Sequence, residues 1–177
     1  GEQETEGGRV GETAAAEMSH SLVACGVRLD RFKTGTPPRL VAESIDTSQF
    51  EPQPGDESPV PFSFSHLASE FQPALPQTLT HLAKTGAAVH RIVRENLHRS
   101  PLYTGRIKSL GPRYCPSVED KVVRFAERES HGVFLEPESL RDDWVYCNGI
   151  STSLPADVQD AIVRGMPGCE EAEIYRY

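Results

Sequence analysis

Gly111-Pro112-Arg113-Tyr114-Cys115-Pro116-Ser117-Val118-Glu119-Asp120-Lys121 reads as a tight turn that enters a helix. Pro116 suits a first helical position, because its missing N–H would be unpaired there anyway. Ser117 and Asp120 supply the S-x-x-D capping pattern. Free N–H groups at such a terminus attract anions, and the helix dipole adds partial positive charge. Arg113 contributes a full charge and a fork that matches phosphate or carboxylate. The same field favours the thiolate of Cys115, which is the nucleophilic form. Two readings follow from the chemistry. The segment holds a dinucleotide phosphate and presents a reactive sulfur, or it is an ordinary turn with a partly buried cysteine, as most free cysteines are.

Downstream, the helix is expected to run to about residue 128, with Val118, Val122, Phe125 and Ala126 inward. Strands are expected at 131–135, 144–147 and 173–177. A helix at 155–164 turns Val158, Ile162 and Val163 inward and is closed by Gly165. This alternation predicts an α/β fold with a mixed sheet. Upstream, residues 103–110 are strand-like, and 87–98 form a helix with Val89, Ile92, Val93 and Leu97 on one face. Residues 12–25 read as another helix, because Ala15, Met18, Leu22 and Cys25 recur at helical spacing before Gly26. A short strand is expected within 27–33. Between 40 and 78, six prolines block any long helix. That stretch is a long loop with strand pieces or a linker, and Phe62 and Phe64 have the spacing of one strand face.

The chain has 177 residues, enough for one domain with a real core. No apolar run is long enough to span a bilayer. The four cysteines, at 25, 115, 147 and 169, form no C-x-x-C pair and no zinc spacing with histidine, so no metal site is expected. Net charge is −8, which argues against a chain that coats nucleic acid everywhere. Its distribution is uneven: residues 28–39 sum to +3, residues 89–128 to +5, and the rest to −16. Two basic zones on an acidic body steer a polyanion to one face, or are simply solvated surface.

Other candidates are weaker. Gly8 and Arg9, in a Gly-Gly-Arg stretch, allow close backbone approach to a cofactor. His81 and His90 titrate near neutrality and are expected in surface or capping roles. Ser151-Thr152-Ser153 is a hydroxyl cluster feeding a polar site or, as favoured, a cap for the helix after Pro155. Cys147 and Cys169 lack basic neighbours and are expected to be inert.

Several blocks carry a resemblance, in the same order along the chain. They are Gly7-Gly8-Arg9-Val10-Gly11-Glu12, Phe32-Lys33-Thr34-Gly35-Thr36-Pro37-Pro38-Arg39 and Arg94-Glu95-Asn96-Leu97-His98-Arg99-Ser100-Pro101. Residues 111–125, Phe134-Leu135-Glu136-Pro137-Glu138 and Asn148-Gly149-Ile150-Ser151-Thr152-Ser153-Leu154-Pro155 follow. The chain resembles an internal piece of the MnmG (GidA) family, flavoproteins that modify the wobble uridine of tRNA. The resemblance implies a glutathione-reductase-like protein with two dinucleotide-binding regions, of which this chain is truncated at both ends. Residues 1–39 would edge the FAD domain and cross into an insertion. Residues 40–86 would be a Pro-rich irregular insertion, and 87–177 the nicotinamide-binding α/β region. It implies FAD and NADH as cofactors, with hydride passing from nicotinamide to flavin, and attachment of a folate-borne (carboxymethyl)aminomethyl-type group at uridine C5. The implied nicotinamide site is Gly111, Pro112, Arg113, Tyr114, Cys115, Pro116, Ser117, Lys121, Arg124 and Phe125, with Gly8 and Arg9 near the flavin and Cys115 as catalytic thiol. The implied partners are tRNA, a GTPase of the MnmE type and a second copy of the protein, in the cytoplasm or in mitochondria. Alternatives are a non-catalytic dinucleotide- or tRNA-binding fragment and a flavin oxidoreductase of small molecules. Where the family shows a Cys-containing strand and a Thr-His-Thr-Asn block, this chain has Gln77 and Thr80-His81-Leu82-Ala83, so no role carried there transfers.

Overall fold

One face of a six-stranded antiparallel sheet is covered by helices, and that face holds the core. The computed structural model describes residues 11–30, 33, 35–66, 71–106 and 116–177. Its elements are α1 (Ala16–Ala24), β1 (Arg39–Val41), β2 (Glu51–Gln53), β3 (Thr80–Lys84), α2 (Ala87–Asn96), α3 (Val118–Arg124), β4 (Gly132–Pro137), β5 (Trp144–Asn148), α4 (Ala156–Arg164) and β6 (Ile174–Arg176). The sheet order is β2-β3-β4-β5-β1-β6.

The alternating pattern of β4 and β5 sets the layering. Val133 and Leu135 of β4, and Val145 and Cys147 of β5, point to the buried face, with Phe134, Trp144 and Tyr146 on the other. Leu40 and Ala83 extend this inner face, against which α2, α3 and α4 place Val89, Val93, Val118, Val122, Val158, Ile162 and Val163. Each such side chain contributes about 1.5–3 kcal/mol by leaving water. The helices of the second half thus fall close to where periodicity predicts them.

The α/β class stands, but every strand pair described is antiparallel rather than mixed. The extra strands come from the Pro-rich stretch: β1, β2 and β3 lie where few strand signals are visible. Pro52 is compatible with pairing because β2 is an edge strand, where a missing N–H can face away from the ladder. Phe62 and Phe64 belong to no strand; both are exposed, and Phe64–His66 is a short 3-10 turn.

Other expectations are corrected. α1 has no buried residue, and its expected apolar face, Met18 and Leu22 included, is exposed. Residues 27–30 carry no strand, consistent with their lack of a clean apolar face. Residues 103–106 are turns, and 107–110 lie outside the described residues. α3 ends at Arg124, where Phe125 breaks helical geometry with φ −118° and ψ 48°. Phe125 and Ala126 therefore face solvent instead of the core.

Candidate functional site

α3 begins where several of the resemblance-bearing blocks meet. Ser117 is its N-cap, and its hydroxyl accepts from Asp120 N at 3.2 Å, as the capping pattern predicts. The Asp120 carboxylate turns elsewhere, accepting from the Tyr103 hydroxyl at 3.2 Å and pairing with Arg124 at 3.5 Å. Burial, then the Asp120 charge and hydrogen bond, push the Tyr103 phenol up to about 12.

The first turn differs from the sequence expectation in two respects: Pro116 precedes the Ser117 cap instead of taking the first helical position, because the cap itself must lie outside the helix, and the N–H groups of the turn are not all free. Val118 N donates to Ser151 O at 2.8 Å, and Asp120 N is taken by the cap. Two first-turn N–H groups are therefore spent on protein acceptors instead of being free for an anion.

Glu119 is the residue that sequence reasoning missed. It is 0% exposed. Its Oε1 accepts from Ser100 Oγ at 3.1 Å, from Ser153 N at 3.2 Å and from Ser153 Oγ at 3.3 Å. The two hydroxyl oxygens are themselves 3.0 Å apart. Ser153 does not cap α4, whose N-cap is Pro155 with no side-chain cap bond. Of the two readings of 151–153, the polar cluster is the one observed for Ser153. The signal for Glu119 was available: on a helix, a glutamate beside Val118 and three residues before Val122 shares their apolar face and needs partners inside.

Further links tie the blocks together. Thr36 and Thr152 form an isolated bridge with N–H···O bonds of 3.1 and 3.2 Å. Lys33 Nζ donates to Leu102 O at 3.2 Å, joining the two basic zones. Lys121 Nζ donates to Gly149 O at 2.7 Å. Gly149 has φ +123°, and a Cβ there would lie 2.7 Å from Gly132 O, so only glycine suits the position.

Next to Ser100 lies a recess of about 360 Å³ lined by His98, Arg99, Thr104 and Arg106. Arg99 is oriented by a two-pronged contact with Asp157, at 2.7 and 3.0 Å. That guanidinium holds the Asp157 carboxyl below the usual carboxylate range. Arg91 and Arg94 are exposed on α2. On the open sheet face, Arg39 stands 4.8 Å over the Tyr146 ring, and Trp144 stacks on Tyr175 at 3.8 Å.

Of the expected nicotinamide-site residues, Pro116 is half-buried, Ser117 and Lys121 are engaged as above, and Arg124 and Phe125 are exposed, with Arg128 5.3 Å over the Phe125 ring. Gly8, Arg9, Gly111, Pro112, Arg113, Tyr114 and Cys115 lie outside the described residues. Cys147 and Cys169 are fully buried; burial raises both thiols, that of Cys169 to about 12, as inert packing requires. His81 sits half-buried in β3. His90, expected in a surface or capping role, is buried within α2, because it shares a face with Val89 and Val93 and finds a partner in Thr85 Oγ1 at 2.9 Å. Among the described residues no cluster could hold a metal, and no helix is long and apolar enough to cross a membrane.

The comparisons with known proteins agree along the whole chain. The family model described as Glucose inhibited division protein A matches residues 1–177. A protein of Rhodopirellula baltica named tRNA uridine 5-carboxymethylaminomethyl modification enzyme MnmG is 55% identical over 177 residues, which is 100% of this chain and 26% of that protein. One of the same name from Nitratiruptor sp. is 49% identical over 178 residues, covering 100% of this chain and 28% of its own length. Aquifex aeolicus GidA superposes with a TM-score of 0.85 and 44% identity over 99% of this chain and 30% of the Aquifex chain. In its second crystal form the values are 0.82 and 40%. The chain thus spans between a quarter and a third of the length of these relatives. With that match unbroken from first residue to last, the chain belongs to the glucose inhibited division protein A family.

Proposed function

We propose that this chain is the nicotinamide- and RNA-contacting part of a flavin-dependent enzyme that modifies the wobble uridine of tRNA at C5. The observation that carries the reading is the convergence of separate blocks on the start of α3. The 32–39, 94–101 and 148–155 stretches meet it or one another through the Ser100–Glu119–Ser153 cluster, the Thr36–Thr152 bridge and the Lys33–Leu102 contact. In sequence, Cys115 and Arg113 stand three and five residues before the first residue of α3. Such convergence suits a composite site more than a set of independent surface turns.

The described residues fit a phosphate-bearing ligand in a particular way. The recess beside Ser100 is lined by His98 and Arg106, which suit an anion, while the fork of Arg99 is already held by Asp157. The helix terminus offers less, since two of its first-turn N–H groups are engaged. A dinucleotide is therefore held through side chains, with Arg113 as the principal grip. When bound, reduced nicotinamide supplies hydride to FAD. Cys115 is the nucleophile: its thiolate adds to uridine C6, moving the C5–C6 electron pair onto the C4 carbonyl and making C5 nucleophilic. Loss of the C5 proton after substitution then expels the thiolate. A partner GTPase and a second copy of the protein complete the proposed assembly.

In the full-length protein, Arg113→Ala weakens apparent affinity for reduced nicotinamide at least about tenfold, because charge-assisted bonds to phosphate contribute about 1.5–3 kcal/mol. FAD content stays unchanged. Flavin reduction rates across a nicotinamide titration test this, and an unchanged apparent affinity overturns the assignment.

A further inference from the structure

Residues 97–106 have no regular structure beyond one 3-10 turn, yet they are held from three sides. Ser100 is fully buried, and its carbonyl accepts from Tyr103 N at 3.0 Å and from Thr104 N at 2.9 Å, so the chain winds around it. Its hydroxyl donates to Oε1 of Glu119, itself 0% exposed, at 3.1 Å. An apolar residue at 119 would pack at lower desolvation cost, but it would leave the Ser100 side chain only the Ser153 hydroxyl, 3.0 Å away. Lys33 Nζ donates to Leu102 O at 3.2 Å, and Arg99 is locked onto Asp157 through bonds of 2.7 and 3.0 Å. Separate parts of the chain therefore fix one surface turn.

What that turn displays is the recess of about 360 Å³ lined by His98, Arg99, Thr104 and Arg106. Gly105 has φ +74°, where L side chains are rarely found, and this tight bend lets the residues on both sides of it line the same recess. The lining narrows the ligand. Among the described residues it includes no carboxylate and no apolar side chain, whereas a nicotinamide ring or a nucleic-acid base needs an apolar wall. It offers three donors: the Arg106 guanidinium, the Thr104 hydroxyl and a ring N–H of His98. The charge of Arg99 is matched by Asp157, so Arg99 adds rigidity. Donors around one small volume suit a phosphate, whose oxygens accept in several directions. Arg91 and Arg94, exposed on α2 in the same basic zone, raise the local positive potential.

We propose that this recess binds one phosphate group, held by Arg106, Thr104 and His98 on a turn that Glu119, Lys33 and Asp157 keep in shape. The inference deepens the function proposed above and rests on it for the source of the phosphate, which is either the dinucleotide or the RNA backbone.

The test uses the full-length protein. Phenylglyoxal modifies accessible arginines, and peptide mapping reads each one separately. With reduced nicotinamide or tRNA well above its Kd, whichever supplies the phosphate should slow modification of Arg106 at least about fivefold. Arg141, exposed between β4 and β5, should react at an unchanged rate. Arg106→Ala and Thr104→Val then identify the source. Both side chains are exposed, so both variants should fold, and thermal melts check this. A dinucleotide phosphate predicts that Arg106→Ala weakens apparent nicotinamide affinity at least about fivefold, and Thr104→Val less, with tRNA binding unchanged. An RNA phosphate predicts unchanged nicotinamide affinity and weaker tRNA binding, with a salt slope lower by about one in Arg106→Ala but not in Thr104→Val. Failure of both ligands to protect Arg106 overturns the proposal. So do unchanged affinities in both variants, or losses no larger than those of Arg141→Ala. Arg113→Ala, assayed alongside, separates this inference from the function it rests on. If Arg113→Ala weakens nicotinamide affinity while the recess variants weaken nothing, the recess fails and that function stands. If the recess variants weaken tRNA binding while Arg113→Ala has no effect, the recess stands and the nicotinamide role of Arg113 falls.

Discussion

Gly35→Ala probes the closest backbone approach between two of the converging blocks. Gly35 does not occupy the left-handed region, so its role is space. A Cβ there would meet Thr152 N at 2.5 Å and Thr152 C and Cα at 2.7 Å. Ordinary contact begins at 3.4 Å, so the two backbones must separate by about 0.9 Å. The Thr36–Thr152 bonds, now 3.1 and 3.2 Å, would then stretch to about 4 Å, beyond hydrogen-bonding range. Two net contributions of about 0.5–1.5 kcal/mol each are lost. Against this, replacing glycine lowers unfolded-state entropy by an equivalent of about 0.4–1 kcal/mol. At the middle of these ranges the net local destabilisation is about 1.3 kcal/mol, or a roughly tenfold rise in the opening constant. Hydrogen exchange read by mass spectrometry in the full-length protein reports this directly. The Thr36 and Thr152 amides should exchange about tenfold faster in the variant. Gly86→Ala is the control, because a Cβ at Gly86 meets nothing within 4 Å. Unchanged exchange at both amides in a folded Gly35→Ala protein would refute the reasoning.

The His90 and His131 rings lie 5.2 Å apart, and His131 N donates to Thr85 Oγ1 at 2.9 Å. Burial first, then His131 and Arg94, lower the pKa of His90; burial, then Lys121 and Arg128, lower that of His131. The unfolded chain therefore binds more protons just below the ordinary histidine value, so stability present above about pH 6.5 is lost as pH falls. Thermal melts across that range should show this slope and a shallower one in His90→Gln; equal slopes contradict the pairing. Brief alkylation under native conditions should label exposed Cys25 but reach Cys147 and Cys169 only in denaturant, and peptide mapping that finds native labelling of Cys147 would contradict its burial. If Arg91 and Arg94 contact tRNA phosphates, reversing both to Glu should flatten the salt dependence of tRNA binding in the full-length protein, and an identical slope shows that they only solvate the surface.

Local pattern determined much of this protein. The stripes of Val89 and Val93 and of Val158, Ile162 and Val163 specify α2 and α4, because a helix can bury such residues together only at its own period. Alternation specifies β4 and β5 for the same reason. Ser117 and Asp120 specify the start of α3, since a cap is a contact within one turn. The ordered blocks carried the family. Tertiary structure decided the rest, wherever the partner is distant in sequence. β1, β2 and β3 are short and have weak propensity of their own, and they become strands because neighbours complete their hydrogen bonds. Phe125 looks like a core residue until the helix ends one residue before it. Ser153 looks like a cap until Glu119, 34 residues away, offers a stronger acceptor. His90 looks like a surface group until Thr85 and His131 close over it. In each case the sequence shows a side chain's chemistry, and only the folded chain supplies the group that uses it.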